Sequence, residues 1–462
     1  MEQIPAQVNI GHISTALEKI ALCTKNSPYE NQIFLVGGAV RDYLLGKAHA
    51  QDFDLVLELD AIELAQFLYK KRVSEIAPVV YPRFGTALIR VMGSDIELVT
   101  ARKESYRSKS RKPKVEKATL LEDAQRRDFT INTLLLNLHT GKIVDPLGVG
   151  ISDLRRKILR TPLDPKETFY EDPLRMLRAI RFRWQVGCRP TTGMYDAIRK
   201  TAPRLKIISR ERIRDELIKM LALNKADRCL KDLEKTHLLA EFMPEAVRMV
   251  GVTQGSYHHL DVWEHTLLTL KNATGVNLTV SLAALLHDIA KPQTRFIDEN
   301  GHIRFFGHET EGAPLANQIL RRLKFPKEIV DNVSLLVKNH MRLGIPILTD
   351  TALRRIIRDL GEQLPNLIEL GQADSRAHKK GTTRFLRKQL EKRIDKLVNE
   401  VPRSKMKSPL SGKEIMEFFA IETGPEIGEY KKFLSELVVE GKLKPDDKIK
   451  AYKLLKSKFK DK

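Results

Sequence analysis

Over the first third of the chain, short apolar runs alternate with turn-forming breaks. The runs are IFLVGG at 33–38, FDLVLEL at 53–59, TALIRVM at 86–92 and DIELVTA at 95–101. Their length and their Val, Ile, Leu and Phe content predict strands. Residues 12–25 instead space their apolar positions as a helix does. Residues 1–150 are therefore expected to form a small α/β domain with a mixed sheet. From about Gly150 the period changes. EDPLRMLRAIRFRW, ISRERIRDELIKMLAL and ADRCLKDLEKTHLLAEF each place apolar residues on one helical face. The fold class expected is α+β, with everything after the head all-α. RMVGVTQGSYHHLD at 248–261 is a glycine-containing linker, which divides the chain into 1–150, 151–247, 248–378 and 379–462. A basic, proline-containing stretch, SYRSKSRKPKVEK at 105–117, reads as a loop.

Charge narrows the partner. Lysine and arginine number 80 against 59 acidic residues, a formal excess of 21. The last 87 residues hold 24 basic and 13 acidic side chains, about half of that excess. Such a balance points to a polyanion, with nucleic acid first. No uninterrupted apolar segment reaches spanning length, so no membrane partner is expected. Cys23, Cys188 and Cys229 are scattered and read as reduced thiols of a cytoplasmic protein.

The candidate chemistry begins at QDFDLVLE. In a strand Asp52 and Asp54 would share one face. Two carboxylates this close repel unless a proton, a basic neighbour, solvent or a cation intervenes. Mg²⁺ suits one or two carboxylates plus substrate phosphates, and such a pair serves phosphoryl transfer. Upstream, LVGGAVRDYLLG at 35–46 ends a strand and opens a helix at Gly37 and Gly38, followed by Arg41 and Asp42. That turn brings backbone N–H groups to a phosphate.

LVGGAVRDYLLG followed by DFDLV resembles the head domain of class II tRNA nucleotidyltransferases and bacterial poly(A) polymerases, in the DNA polymerase β superfamily. RRDFTIN at 126–132, DPLGVGISDL at 145–154, EDPLRMLRAIRF at 171–182 and SRERIRDEL at 209–217 follow in the family's order. The resemblance implies Mg²⁺ on Asp52 and Asp54, with Glu97 a third carboxylate. It implies that Arg127 meets triphosphate or ribose, that Asp128 accepts from a ribose 2′-OH, and that Asn132 supports both. Glu171, Asp172 and Arg175 are expected on one helix. Asp172 would accept from the amino group of cytosine or adenine, and Arg175 would donate to the ring nitrogen. Glu171 would hold Arg175, and uracil and guanine would be rejected. Arg178 and Arg181 continue that stripe towards substrate phosphates. DPLGVGISDL would be a hinge.

A second constellation lies downstream: His265, His287, Asp288, His308, His340 and Asp374. Imidazoles and carboxylates on different helices are metal-ligand chemistry. HDIAKP resembles the HD phosphohydrolase superfamily. His265, His287, Asp288 and Asp374 would hold one divalent transition metal such as Mn²⁺, Ni²⁺ or Fe²⁺, and His308 and His340 a second. Lys291 would meet phosphate.

The expected activity is template-independent addition of CCA to tRNA 3′ ends from CTP and ATP, with hydrolysis of RNA-end phosphates at the HD site. A poly(A) polymerase and an A-only or CC-only adding enzyme share these motifs. A phosphohydrolase whose head merely binds nucleotide is the competing class.

Overall fold

The computed structural model describes residues 8–47, 52–105, 114–255, 260–343, 348–378 and 387–459. It divides into two compact units. The first holds residues 1–220 with 228–242, the second 221–227 with 243–462.

The first unit opens with helix α1 (Thr15–Thr24), capped by the Ser14 hydroxyl. Its sheet comprises β1 (Phe34–Val36), β2 (Phe53–Leu57), β3 (Val79–Tyr81), β4 (Thr86–Val91), β5 (Ser94–Thr100), β8 (Leu135–Asn137) and β9 (Ile143–Val144). Their order is β3-β4-β5-β2-β1-β8-β9. Only β2 and β5 run parallel, so the sheet is mixed as expected. Helices α2 (Gly38–Leu44) and α3 (Ala61–Lys70) follow β1 and β2. β3 carries an exposed VVY triplet and lacks the apolar alternation that would mark a strand.

The 105–117 stretch is not wholly a loop. β6 (Arg102–Ser105) and β7 (Lys114–Lys117) form a separate antiparallel ladder. Residues 106–113, the heart of the expected loop, lie outside the described residues, as does 256–259 of the expected linker. Beyond β7 come α4 (Leu120–Gln125), which starts in a Thr119–Glu122 capping box, and α5 (Gly150–Arg156). Then follow α6 (Pro165–Glu171), α7 (Leu174–Phe182), α8 (Met194–Thr201) and α9 (Arg210–Leu221).

In the second unit the helix Leu278–Leu286 is buried all round from Thr279 onward, as its apolar composition dictates. Val262–Asn272, Lys327–Asn339 and Leu364–Ala377 pack against it. Further on, Gly412–Phe419, Pro425–Val439 and Lys448–Lys458 enclose a core of Ile415, Tyr430, Leu434, Val438 and Leu455. Two short ladders interrupt the otherwise helical region: Ile158–Leu159 with Arg189–Pro190, and Phe296–Ile297 with Ile303–Arg304. Among the described residues no helix is long and apolar enough to cross a membrane.

Candidate active site and metal centre

β2 is a central strand, and four of its five residues are buried; Asp54 is the exposed one. β2 thus meets solvent through this carboxylate. Asp54 stands in parallel register with Glu97 on β5, so the two share a face. Asp52 lies one residue before the strand rather than in it, because β2 starts at Phe53. Although Asp54 keeps an exposed surface, desolvation of its carboxyl by the surrounding head, aided by the Asp52 charge and partly countered by Arg127 and Arg178, pushes it above its ordinary value. Glu97 is pushed up by burial and by Asp54.

Gly37 faces the pair. Its φ of 83° and ψ of −140° are open to glycine alone, and a Cβ there would sit 3.6 Å from Asp54 Oδ2. Gly38 opens α2. One turn on, Arg41 is buried and forks onto Asp42 at 2.9 and 2.7 Å.

A buried chain of hydrogen bonds starts from Arg41. Its Nη1 donates to Asn132 Oδ1 at 2.6 Å, and Asn132 Nδ2 donates to Asp128 Oδ1 at 3.0 Å. Asp128 Oδ2 accepts from Arg178 Nε at 2.8 Å. Arg178 also lies 3.8 Å from Glu216, which accepts from Arg181 Nε at 2.7 Å. Burial pushes the Asp128 carboxyl up, but Arg178 and Asn132 outweigh it and hold it below the ordinary range. Three guanidinium groups, Arg41, Arg178 and Arg181, pack on the Phe182 ring at 4.9, 5.3 and 4.2 Å. Arg181 is thus buried and paired with Glu216 rather than presented to phosphate. Arg127 is held by Asp123 at 2.9 Å, and Asp123, buried at 2% exposure, also takes Arg126.

Glu171, Asp172 and Arg175 do not share one helix. Glu171 ends α6, Asp172 is extended (φ −128°, ψ 97°), and Pro173 leads into α7. A proline disfavours helical backbone in the residue before it, so the chain breaks at Asp172. The Glu171–Arg175 ion pair forms all the same, at 3.3 Å. Arg175 is buried and also donates to the carbonyls of Thr168 and Arg126. Asp172 accepts from Leu174 N at 3.2 Å and lies 3.7 Å from Arg212. Asp172 caps the end of α6, its N–H on the Thr168 carbonyl at 3.4 Å, and its own carbonyl accepts from Arg175 N at 3.0 Å. Arg212 and Glu216 lie in SRERIRDEL at 209–217, a motif that implied no role for them, and Asp123 lies outside the motifs. The signal for Asp123 is its i+3 and i+4 spacing to Arg126 and Arg127.

The second unit gathers all six expected HD residues. His265 Nε2 is 2.9 Å from Asp374 Oδ1 and 3.7 Å from Asp288 Oδ2; His287 Nε2 is 3.1 Å from Asp288 Oδ2. Asp288 Oδ1 faces His308 Nε2 at 3.4 Å and His340 Nε2 at 3.8 Å, so one carboxylate bridges two groups. Lys291 Nζ reaches Asp288 Oδ2 at 2.7 Å and donates to Gln254 at 2.8 Å. His378, which the sequence reading passed over, joins Asp374 and His265. Its i+4 spacing from Asp374 was visible.

A repeated device aims these rings. His287, His308 and His340 each engage, through Nδ1, the carbonyl three residues earlier, at 2.9, 2.7 and 2.7 Å. A carbonyl only accepts, so Nδ1 carries a proton in each ring and Nε2 is the nitrogen turned into the cluster. The Nε2 atoms of His308 and His340 then face each other at 3.2 Å. His287 Nε2 is buried without a hydrogen-bond partner beside the Asp288 carboxylate. Burial, with His287 nearby, pushes His340 down to about 3. Asp288 is held well below the carboxylate range: His287 and Lys291 overcome its burial. Converging lone pairs on N and O donors fit a divalent transition metal.

The family described as Poly A polymerase head domain matches residues 33–160, the probable RNA and SrmB-binding site of polymerase A matches 191–249, and the HD domain matches 262–400. The CC-adding tRNA nucleotidyltransferase of Thermus thermophilus is 33% identical, with 91% of this chain and 93% of that one covered. The A-adding tRNA nucleotidyltransferase of Deinococcus radiodurans is 35% identical over 72% of this chain and 78% of its own. The fold is similar to the Bacillus stearothermophilus CCA-adding enzyme crystallised with CTP, at a TM-score of 0.71 and 22% identity over 96% of each chain. The chain belongs to the tRNA nucleotidyltransferase and poly(A) polymerase family and carries an HD domain in its second half.

Proposed function

We propose that this protein adds cytidine and adenosine nucleotides, without a nucleic-acid template, to the 3′ end of tRNA, completing CCA and releasing pyrophosphate. The observation that carries this reading is the in-register pair Asp54 and Glu97 beneath Gly37, with Asp52 at the strand entrance. The family's chemistry implies a divalent metal, and mutually repelling carboxylates fit Mg²⁺, held by Asp52 and Asp54 with Glu97 in support. A divalent ion there supplies charge neutralisation for a triphosphate. The N–H groups of the Gly37–Gly38 turn orient the phosphates, and Arg127, fixed by Asp123, adds positive charge beside them. Asp128, oriented by Asn132 and Arg178, presents an acceptor to the ribose. Asp172 accepts from an exocyclic amino group, and Arg175, held by Glu171, donates to the ring nitrogen once it gives up its bonds to the Thr168 and Arg126 carbonyls. That pattern admits C and A and rejects U and G. The basic C-terminal residues cradle the RNA backbone, and the protein works in the cytoplasm.

The Thermus relative favours a second reading, CC addition alone. Purified protein with Mg²⁺, labelled CTP and ATP, and tRNA lacking its last one, two or three nucleotides separates the two. Addition of two C and one A, then arrest, supports the first. Arrest after two C supports the second. Long A tails or no incorporation refutes both.

We propose further that the HD centre hydrolyses 2′,3′-cyclic or 2′-phosphates on damaged RNA ends. His265, His287, Asp288 and Asp374 would hold one ion and His308 and His340 a second. Metal there supplies Lewis-acid polarisation of the phosphoester. Lys291, already against Asp288, steers the anion.

A further inference from the structure

An aromatic shelf adjoins the proposed base-selecting residues. Tyr170 lies in the last turn of α6, immediately before Glu171 and Asp172, and is 48% exposed. The Arg204 guanidinium carbon sits 3.6 Å from the Tyr170 ring centroid, and its Nη2 donates to the Tyr170 carbonyl at 3.0 Å. The backbone hydrogen bond and the close stack together cover and fix one ring face, while the side chain keeps half its surface in solvent. A ring fixed by a cation on one face and half open to solvent is a surface on which a base can stack. Arg212, 40% exposed and 3.7 Å from Asp172, adds a second cation close by. Both arginines fall within residues 191–249, the segment that matches the RNA-binding family.

The reaction says which base belongs there. Attack of an RNA 3′-hydroxyl on the α-phosphate of a nucleoside triphosphate makes the last RNA nucleoside the immediate neighbour of the incoming one. The seat of the terminal base must therefore adjoin the residues that select the incoming base, which is where Tyr170 and Arg204 stand. Every base has a π face, so a stacking seat accepts whichever nucleotide is terminal as the end grows. We infer that the Tyr170–Arg204 stack seats the terminal base of the RNA primer. This rests on the transfer reaction proposed above and adds the acceptor-end subsite to it.

The test uses the full-length protein and an RNA hairpin whose 3′-terminal base is 2-aminopurine, whose fluorescence falls on stacking. Wild type, Tyr170→Phe and Tyr170→Trp should quench the probe. Tyr170→Ala should lose the quenching and raise KM for RNA about tenfold or more, with KM for CTP and the melting temperature unchanged. Quenching by Tyr170→Ala equal to wild type overturns the assignment, as does a rise in KM for CTP or ATP in place of RNA. A wild type that quenches the probe but adds no nucleotide would refute the transfer reading while leaving the seat standing.

Discussion

Asp54→Asn should make the metal-free protein more stable while abolishing nucleotide addition. Asp54 and Glu97 are in parallel register, and neighbouring strands lie about 4.8 Å apart. Two unit charges about 5 Å apart at an effective dielectric of about 20 repel by about 3 kcal/mol. Both residues are exposed, so solvent screening cuts this to about 1–2 kcal/mol. For a unit of this size each kcal/mol moves the melting temperature by about 2–4 °C. The variant should therefore melt about 2–8 °C higher in EDTA at pH 7. The sign follows from the raised carboxyls of Asp54 and Glu97. A raised folded-state pKa gives stability at low pH that is lost as pH rises through it. The gain should accordingly vanish when both side chains are protonated, below the ordinary carboxylate range. Mg²⁺ should stabilise wild type and leave Asp54→Asn nearly unmoved. Calorimetric or circular-dichroism melts with EDTA and with Mg²⁺, at neutral and acid pH, measure all of this. Equal or lower stability of Asp54→Asn in EDTA, with the same Mg²⁺ response in both proteins, would refute a cation site on these carboxylates.

Other consequences are as direct. Asp172→Ala should relax base choice, visible as UMP incorporation in single-nucleotide reactions, since the acceptor that requires an amino group is gone; unchanged rejection of UTP would count against its role. Glu216→Gln removes the charge that pairs Arg181 inside the first unit; because an unpaired buried charge costs about 3–5 kcal/mol, denaturant titration should show a large loss of stability. Asp288→Asn should abolish transition-metal binding at the HD centre, read by equilibrium dialysis, and leave nucleotide addition intact. If the basic surface cradles RNA through about 6–10 phosphates, affinity should fall about 10³–10⁵-fold between 50 and 200 mM salt, and a flat salt dependence would refute that cradle.

What the sequence reveals and hides follows from how far apart the partners lie. Asp52, Asp54 and the two glycines are legible because strand, turn and carboxylates sit within twenty residues and obey local rules. The HD ligands are legible as residue types, but the Nδ1 anchors that aim them are backbone contacts no motif records. The Arg41–Asn132–Asp128–Arg178–Glu216 chain joins residues 91, 4, 50 and 38 positions apart, and only the folded head and helices bring them together. The helix break at Asp172 was available in the sequence as Asp-Pro, yet the i,i+4 pairing of Glu171 and Arg175 suggested a continuous helix. The pairing survives the break, which is why it misleads.

The central claim is that the head transfers nucleotides and the HD centre is a separate site. One measurement tests it most directly: nucleotide addition to tRNA and hydrolysis of a 2′,3′-cyclic phosphate end, assayed side by side on wild type, Asp54→Asn and Asp288→Asn. The account predicts that Asp54→Asn loses addition alone and Asp288→Asn loses hydrolysis alone. Loss of both activities in either folded variant, or addition that survives Asp54→Asn, would contradict it.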